Sequence, residues 1–314
     1  MRKEVNKQWT IQAGFTLDDH LDINIEHFLI SRKAMNVAIG TLNFYRIKLR
    51  IFSRFCDSQA ITSILQLTPD VIRLFLMHLD DTGHKAGGVH AFYRAIKTFL
   101  FWWEEETEPE KWKNPIRKVK APRVPVEPIN PVSIETIQAL VDTCNNGGII
   151  DDRDRALLFF LLDTGVRAAE CLALNIDDVN MLTGAVLIRQ GKGRKPRTVF
   201  IEKKARKALR AYLKHRKDNN PALWISRENE RLKYFTLREM KRRRAARAHV
   251  PEPGLHDFRR AFALSMLRNG VDVITLSRLM GHSSLAVLSR YLKQLDTDLQ
   301  EAHQKYSPME NSSL

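Results

Sequence analysis

The chain has 314 residues, 44% of them hydrophobic, which is enough for two domains with real cores. Its 51 lysines and arginines against 36 aspartates and glutamates leave a formal charge of +15, which points to a polyanionic partner, DNA or RNA first. Cys56, Cys144 and Cys171 are too few and too far apart for a disulfide framework or a zinc site; the opening MRKEVNKQWTIQAG lacks the apolar core of a signal peptide, and the run ALLFFLL is too short to span a bilayer. The expectation is a soluble, cytoplasmic protein with no membrane partner.

The first part of the chain, residues 15–106, reads as four helices without a strand. Asp18 and Asp19 open a stretch with Leu21, Ile25, Phe28 and Leu29 on one face, and Thr41 is placed to cap the next, with Leu42, Tyr45, Leu49 and Phe52 inward. Thr68-Pro69 supplies a cap and a first-turn proline before VIRLFLMHL, and Gly87-Gly88 loosens the start of VHAFYRAIKTFLFWW. Phe99, Phe101, Trp102 and Trp103 read as core rather than as a base-stacking platform. Residues 107–131 form a linker in which repeated prolines forbid a long helix, while Lys113, Arg117, Lys118, Lys120 and Arg123 make it an extended basic strap.

From residue 132 the pattern changes. Ser133 caps a helix with Glu135 in its first turn, and the segment from Asp154 to Thr164 is a buried helix that delivers Arg167 just past its end. AVLIRQ and RTVFIE, alternating in hydrophobicity around a Gly-Lys-Gly turn, read as a hairpin, the one convincing β signal. Helices follow over residues 205–217, 236–249, 257–268, 273–280 and 285–292. The predicted class is therefore mainly α, with a helical catalytic domain over 132–298 carrying a small β-hairpin, and a polar tail over 299–314.

Six side chains in this second half stand out: Arg167 in TGVRAAE, Lys192 in GKGRK, His256 and Arg259 in HDFR, His282 in GHSS and Tyr291 in RYL. Cations and imidazoles without a carboxylate among them suit the task of holding a phosphodiester while a phenol oxygen attacks it. His256 and Arg259, three apart, share a helical face. Glu170 is placed to orient Arg167. Lys195 is an alternative to Lys192 in the same turn, and Tyr306 is a rival to Tyr291. His249, His256 and His282 lack the spacing and companions of a zinc site, and no nucleotide-binding glycine loop occurs. The run Lys241-Arg242-Arg243-Arg244, flanked by Arg238 and Arg247, predicts a helix positive almost all round, suited to a DNA groove; Arg243 and Arg244 are its candidate contacts, with Lys85, Arg94, Lys97, Lys118 and Lys120 as weaker ones in the first half and the strap.

In order and spacing, TGVRAAECLALNIDDV, GKGRKPRTV, LHDFRRAFA, LMGHSS and RYL resemble the tyrosine recombinase (phage integrase, Xer-like) family. The resemblance covers essentially the whole chain, since the first four helices look like that family's core-DNA-binding (SAM-like) domain. It departs from the family at Arg260 and Ala261, where His and Thr are frequent, and at Ser289, where Thr is common. The resemblance implies site-specific DNA recombination through a 3′-phosphotyrosine, with Tyr291 as nucleophile, Arg167 and Arg259 on the phosphate, Lys192 as general acid, His256 and His282 as hydrogen-bond or proton donors, and no cofactor. It also implies double-stranded DNA with inverted-repeat half-sites, a homotetramer in the synaptic complex, accessory DNA-bending proteins as possible partners, and a tail segment (299–306) that packs on a neighbouring protomer. Two relatives of the same chemistry stay open: a type IB topoisomerase, which relaxes one duplex without synapsis, and a DNA-binding relative that has lost the chemistry.

Overall fold

The structure is a computed structural model; it describes residues 19–125, 131–145, 147–189 and 196–281, with 303 and 307. The chain divides into two compact units, Met1–Val126 and Glu127–Leu314.

In the first unit the described helices are α1 (Leu21–Ala34), α2 (Ile39–Ser58), α3 (Pro69–Asp81) and α4 (Ala86–Thr107). Their apolar stripes meet in a core of rings. Phe28, Phe52, Phe75, Phe92 and Phe99 are fully buried, and edge-on pairs run Phe28–Phe99 at 5.7 Å, Phe52–Phe75 at 5.0 Å and Phe75–Phe92 at 5.6 Å. Trp102 and Trp103 belong to this core, and the Trp103 indole donates to Asn24 at 3.2 Å; Phe101 is half-buried beneath the Arg117 guanidinium. Thr68 caps α3 through Val71 N, as its Thr-Pro pair predicts. Thr41 does not cap α2, which starts two residues earlier behind Ala38 without a side-chain cap.

The basic strap is shorter than expected. Asn114 accepts from Ile116 N and opens a 3-10 turn over Pro115–Lys118, while its amide donates to Leu100 O at 3.1 Å. Ile116 and Val119, three apart, are thereby buried, and the Tyr93 hydroxyl donates to Val119 O at 3.0 Å. Residues 114–119 are thus part of the first unit's core, and Lys118 and Lys120 stand exposed at its edge.

In the second unit the described elements are α5 (Ile134–Asp142), α6 (Ile149–Thr164), α7 (Ala168–Ala173), β1 (Ala185–Ile188), β2 (Arg197–Phe200), α8 (Lys203–Lys214), α9 (Tyr234–Ala248), α10 (Leu255–Arg268) and α11 (Val273–Met280). Ser133 caps α5 through Thr136 N. Helix α6 is central: it packs on α8, α10, α5 and β2, and Leu157, Leu158, Phe160 and Leu161 are buried. The strands pair antiparallel from Ala185↔Phe200 to Ile188↔Arg197. Cys56, Cys144 and Cys171 are free and buried; burial above all pushes the thiols of Cys56 and Cys144 up to about 12 and about 11.

Helix α9 corrects one expectation. It is not positive all round, because Lys241 and Arg244 point into the protein. Arg244 donates to Asp154 Oδ2 at 3.0 and 2.6 Å, to Asp151 Oδ1 at 2.6 Å and to Thr143 O at 2.7 Å. Arg153 grips the other oxygen of Asp154 and reaches Ile225 O at 2.9 Å. Two buried guanidiniums thus meet two buried carboxylates, tying α6, α9 and the end of α5 together. Arg244 is a buried structural cation and not a DNA contact, whereas Arg243 is exposed. Removing one partner strands buried charge, so Arg244→Ala should lower the unfolding free energy by about 4 kcal/mol. Arg243→Ala should stay within about 0.5 kcal/mol of the parent in the same urea titrations; similar losses for the two would mean that the buried network contributes little.

Candidate active site

Helix α6 ends at Gly165, whose φ of +58° reverses the chain. Only glycine fits, because a Cβ there would lie 2.3 Å from the Phe262 ring of α10. This close approach places Gly165 O within 2.7 Å of Arg259 Nη1. Two residues on, Arg167 is the N-cap position of α7. Glu170, in the first turn of α7, closes back on it: one carboxylate oxygen accepts from Arg167 N at 3.0 Å, the other from Arg167 Nη1 at 3.0 Å.

The same carboxylate holds a second guanidinium. Arg197, first residue of β2, donates through Nη1 and Nη2 to the two Glu170 oxygens at 3.2 and 2.7 Å, and through Nε to Leu279 O at 3.0 Å. Burial alone would raise the Glu170 pKa; the Arg197 hydrogen bonds, the Arg167 backbone N–H and both positive charges outweigh it and hold the carboxyl at about 2. Arg259, 1% exposed, reaches Met280 O at 2.7 Å through Nη2. The last carbonyls of α11 are therefore met by two arginines, which suits the negative end of a helix.

His256 lies one turn before Arg259 on α10 and is exposed. Despite that open side, loss of water to the surrounding protein, then the charges of Arg259, Arg260 and Arg167, push its pKa below the ordinary histidine value. Arg260 is half-buried and donates to Asp257 at 3.0 Å. Of the six residues singled out in the sequence, Arg167, His256 and Arg259 are thus brought to one place. Lys192, His282 and Tyr291, with the rivals Lys195 and Tyr306, lie outside the described residues.

Arg197 is the site residue that sequence reasoning missed. The signal was the parity of β2: Arg197 and Val199 share a face, and Val199 is buried, so a charge two residues before it points inward as well. Among the described residues no group of three or more His, Cys, Asp or Glu could hold a metal ion, and no helix is long and apolar enough to cross a membrane. In the first unit Lys85, Arg94 and Lys97 are exposed on and before α4.

Comparison with known proteins decides the family. The phage integrase family pattern matches residues 132–298, more than half of the chain. The chain belongs to the phage integrase family, the tyrosine recombinases. Within that family it is similar to tyrosine recombinase XerC of Chlamydia trachomatis, 31% identical over 236 residues, covering 71% of this chain and 72% of the relative. It is also similar to XerC of Oceanobacillus iheyensis, 27% identical over 310 residues, covering 95% and 98%. In fold it resembles the Tn1549 transposon integrase solved with transposon right-end DNA, with a TM-score of 0.73 at 14% identity, covering 92% of this chain and 99% of that one.

Two outcomes follow from this geometry. Gly165→Ala, combining a left-handed φ with the Phe262 collision, should cost about 3 kcal/mol of stability by thermal or urea unfolding; an unchanged midpoint would refute the close approach. Because Glu170 is depressed in the folded state, its stabilisation is complete above the unfolded value near 4.5 and is lost as pH falls toward about 2. That term is of the order of 3 kcal/mol, so Glu170→Gln should be less stable than the parent at neutral pH, and the gap should close between pH 4.5 and 2.

Proposed function

We propose that this protein is a site-specific DNA recombinase that cleaves and rejoins DNA through a 3′-phosphotyrosine. The reading is supported by one observation above the others: a family match over 132–298 coincides with a cluster of Arg167, Arg197, Arg259 and His256 that holds, among the described residues, one buried carboxylate, Glu170. In this reading Arg167 and Arg259 engage the non-bridging oxygens of the scissile phosphate and stabilise the charge that grows on them. The Tyr291 oxygen attacks phosphorus; the bond to the 5′ oxygen breaks, and Lys192 delivers a proton to that oxygen, leaving a 5′-hydroxyl. His256 and His282 donate to the phosphate or carry the tyrosine's proton. The phosphotyrosine conserves the phosphodiester's energy, so a second 5′-hydroxyl displaces it without a nucleotide cofactor.

Lys85, Arg94, Lys97, Lys118 and Lys120 of the first unit, and Arg243 of the second, supply backbone contacts to double-stranded DNA. The DNA carries inverted-repeat half-sites, four protomers assemble in the synapse, accessory DNA-bending proteins can assist, and the protein works in the cytoplasm.

A suicide DNA substrate nicked beside the cleavage point tests the chemistry. Wild type should give a covalent protein–DNA band on a denaturing gel, and Tyr291→Phe should give none. A band that survives the substitution transfers the role to Tyr306. Absence of any band from wild type, despite tight specific binding, would sink the enzymatic reading.

A further inference from the structure

Glu170 carries one negative charge at the edge of a site whose task is to hold an anion. With Arg167 as its only guanidinium partner the pair would be neutral, and Arg167 would be held inward by its side chain and its own backbone N–H. Arg197 changes that balance. It takes both oxygens of Glu170, at 3.2 and 2.7 Å, whereas the Arg167 side chain is recorded on one, at 3.0 Å. The two-point grip belongs to the residue farther from solvent: the Arg197 side chain is 12% exposed and that of Arg167 29%. Within this triad two guanidiniums share one carboxylate, and Arg167 is the more exposed of the two.

The remaining nitrogen of Arg197 has a separate task. Its Nε donates to Leu279 O, three residues before His282 in the chain. Gly281 passes so close that a Cβ there would lie 3.0 Å from the Arg197 side chain, and its φ of +61° demands glycine. Arg197 itself leads β2, five residues after Lys192 in the sequence. One side chain therefore joins the start of α7, the hairpin and the end of α11, each adjacent in sequence to a residue of the proposed chemistry.

We propose that Arg197 is a positioning residue: by binding both oxygens of Glu170 it prevents that carboxylate from cancelling Arg167, and so sets the charge that Arg167 presents to the scissile phosphate. The proposal rests on the functional reading above for the identity of the anion. It requires a specific sign of coupling. If Arg197 only supports the fold, removing Glu170 as well should do further harm. If it shields Arg167 from Glu170, removing Glu170 should restore what the loss of Arg197 took away.

The experiment compares wild type, Arg197→Gln, Glu170→Gln and the double variant, with thermal unfolding run on each. Single-turnover cleavage of the suicide substrate is measured alongside gel-shift affinity for the same DNA, and inorganic phosphate binding is measured by calorimetry. Arg197→Gln should slow cleavage about 100-fold with DNA affinity within about threefold of wild type, and the double variant should recover at least about tenfold of that loss. Phosphate affinity should follow the same order. A double variant no faster than Arg197→Gln overturns the proposal, as does an Arg197→Gln rate within about threefold of wild type. Should Arg197→Gln not fold, Arg197→Lys and Arg197→Lys/Glu170→Gln replace the pair, since a lysine grips the carboxylate at one point only; no gain on removing Glu170 again overturns it. If wild type itself forms no adduct, the recombinase reading fails, and the phosphate affinities alone decide the role of Arg197.

Discussion

The arrangement of the second unit depends on one shared carboxylate. Each Glu170 oxygen accepts two hydrogen bonds, one from Arg167 and one from Arg197, so a buried anion is fully satisfied without water. Three chain segments far apart in sequence are fixed by that single group: the start of α7, the first residue of β2 and, through the Nε of Arg197, the last turn of α11. None of these contacts is apolar, yet together they set where the proposed catalytic residues leave their elements. The hydrophobic core beneath them includes buried residues of α6, α8 and α10.

Two buried arginine clusters in the same unit show how charge counting separates structure from function. Around α6, Arg153 and Arg244 meet Asp151 and Asp154, two charges of each sign among the ion pairs of the described residues. At the candidate site, Arg167, Arg197 and Arg259 face Glu170 as the one carboxylate that binds any of them among the ion pairs of the described residues. Carbonyls of Gly165, Leu279 and Met280 take up the remaining recorded donors. A carbonyl replaces lost hydration without cancelling charge. The first cluster ties α6, α9 and the end of α5 together, and the second is the one in which the proposed function seats a phosphate, although both are built from the same side chains.

Much of this was legible before any coordinates, and the exceptions have physical causes. Among the described residues the expected helices coincide with α1 to α5 and α8 to α11, while α6 starts at Ile149, five residues before the expected Asp154; the helix expected over 285–292 lies outside the described residues. Thr68-Pro69 and Ser133 marked true starts, since a side-chain oxygen on an orphan N–H is a local interaction that needs no tertiary context. Thr41 misled because α2 begins behind Ala38, without a side-chain cap. Arg244 was misread because a run of four basic residues on a helix has an inner face like any other run, and the acids that neutralise it, Asp151 and Asp154, lie some ninety residues away in sequence. Residues 114–119 looked like linker because proline density hid an Asn-Pro turn with two apolar residues at the right separation. The joint pattern singled out Arg167, His256 and Arg259, which the fold brings together; it did not include Arg197, because its partner is on α7 and shared charge is recorded by no local motif.

His256 carries this electrostatic reasoning one step further. It sits on the exposed side of the arginine cluster, and its ordinary affinity for a proton is reduced by surrounding protein and then by Arg259, Arg260 and Arg167. Loss of hydration first, and the neighbouring guanidiniums second, therefore weaken the hold of this imidazole on a proton. An anion arriving among these guanidiniums offsets their repulsion and makes the imidazole more basic. Under the proposed function, a phosphate bound beside His256 would strengthen the imidazole's hold on a proton and so favour its hydrogen bond to that phosphate. That coupling follows from holding three arginines together with one carboxylate and several carbonyls, and a site neutralised like the cluster around α6 would not have it.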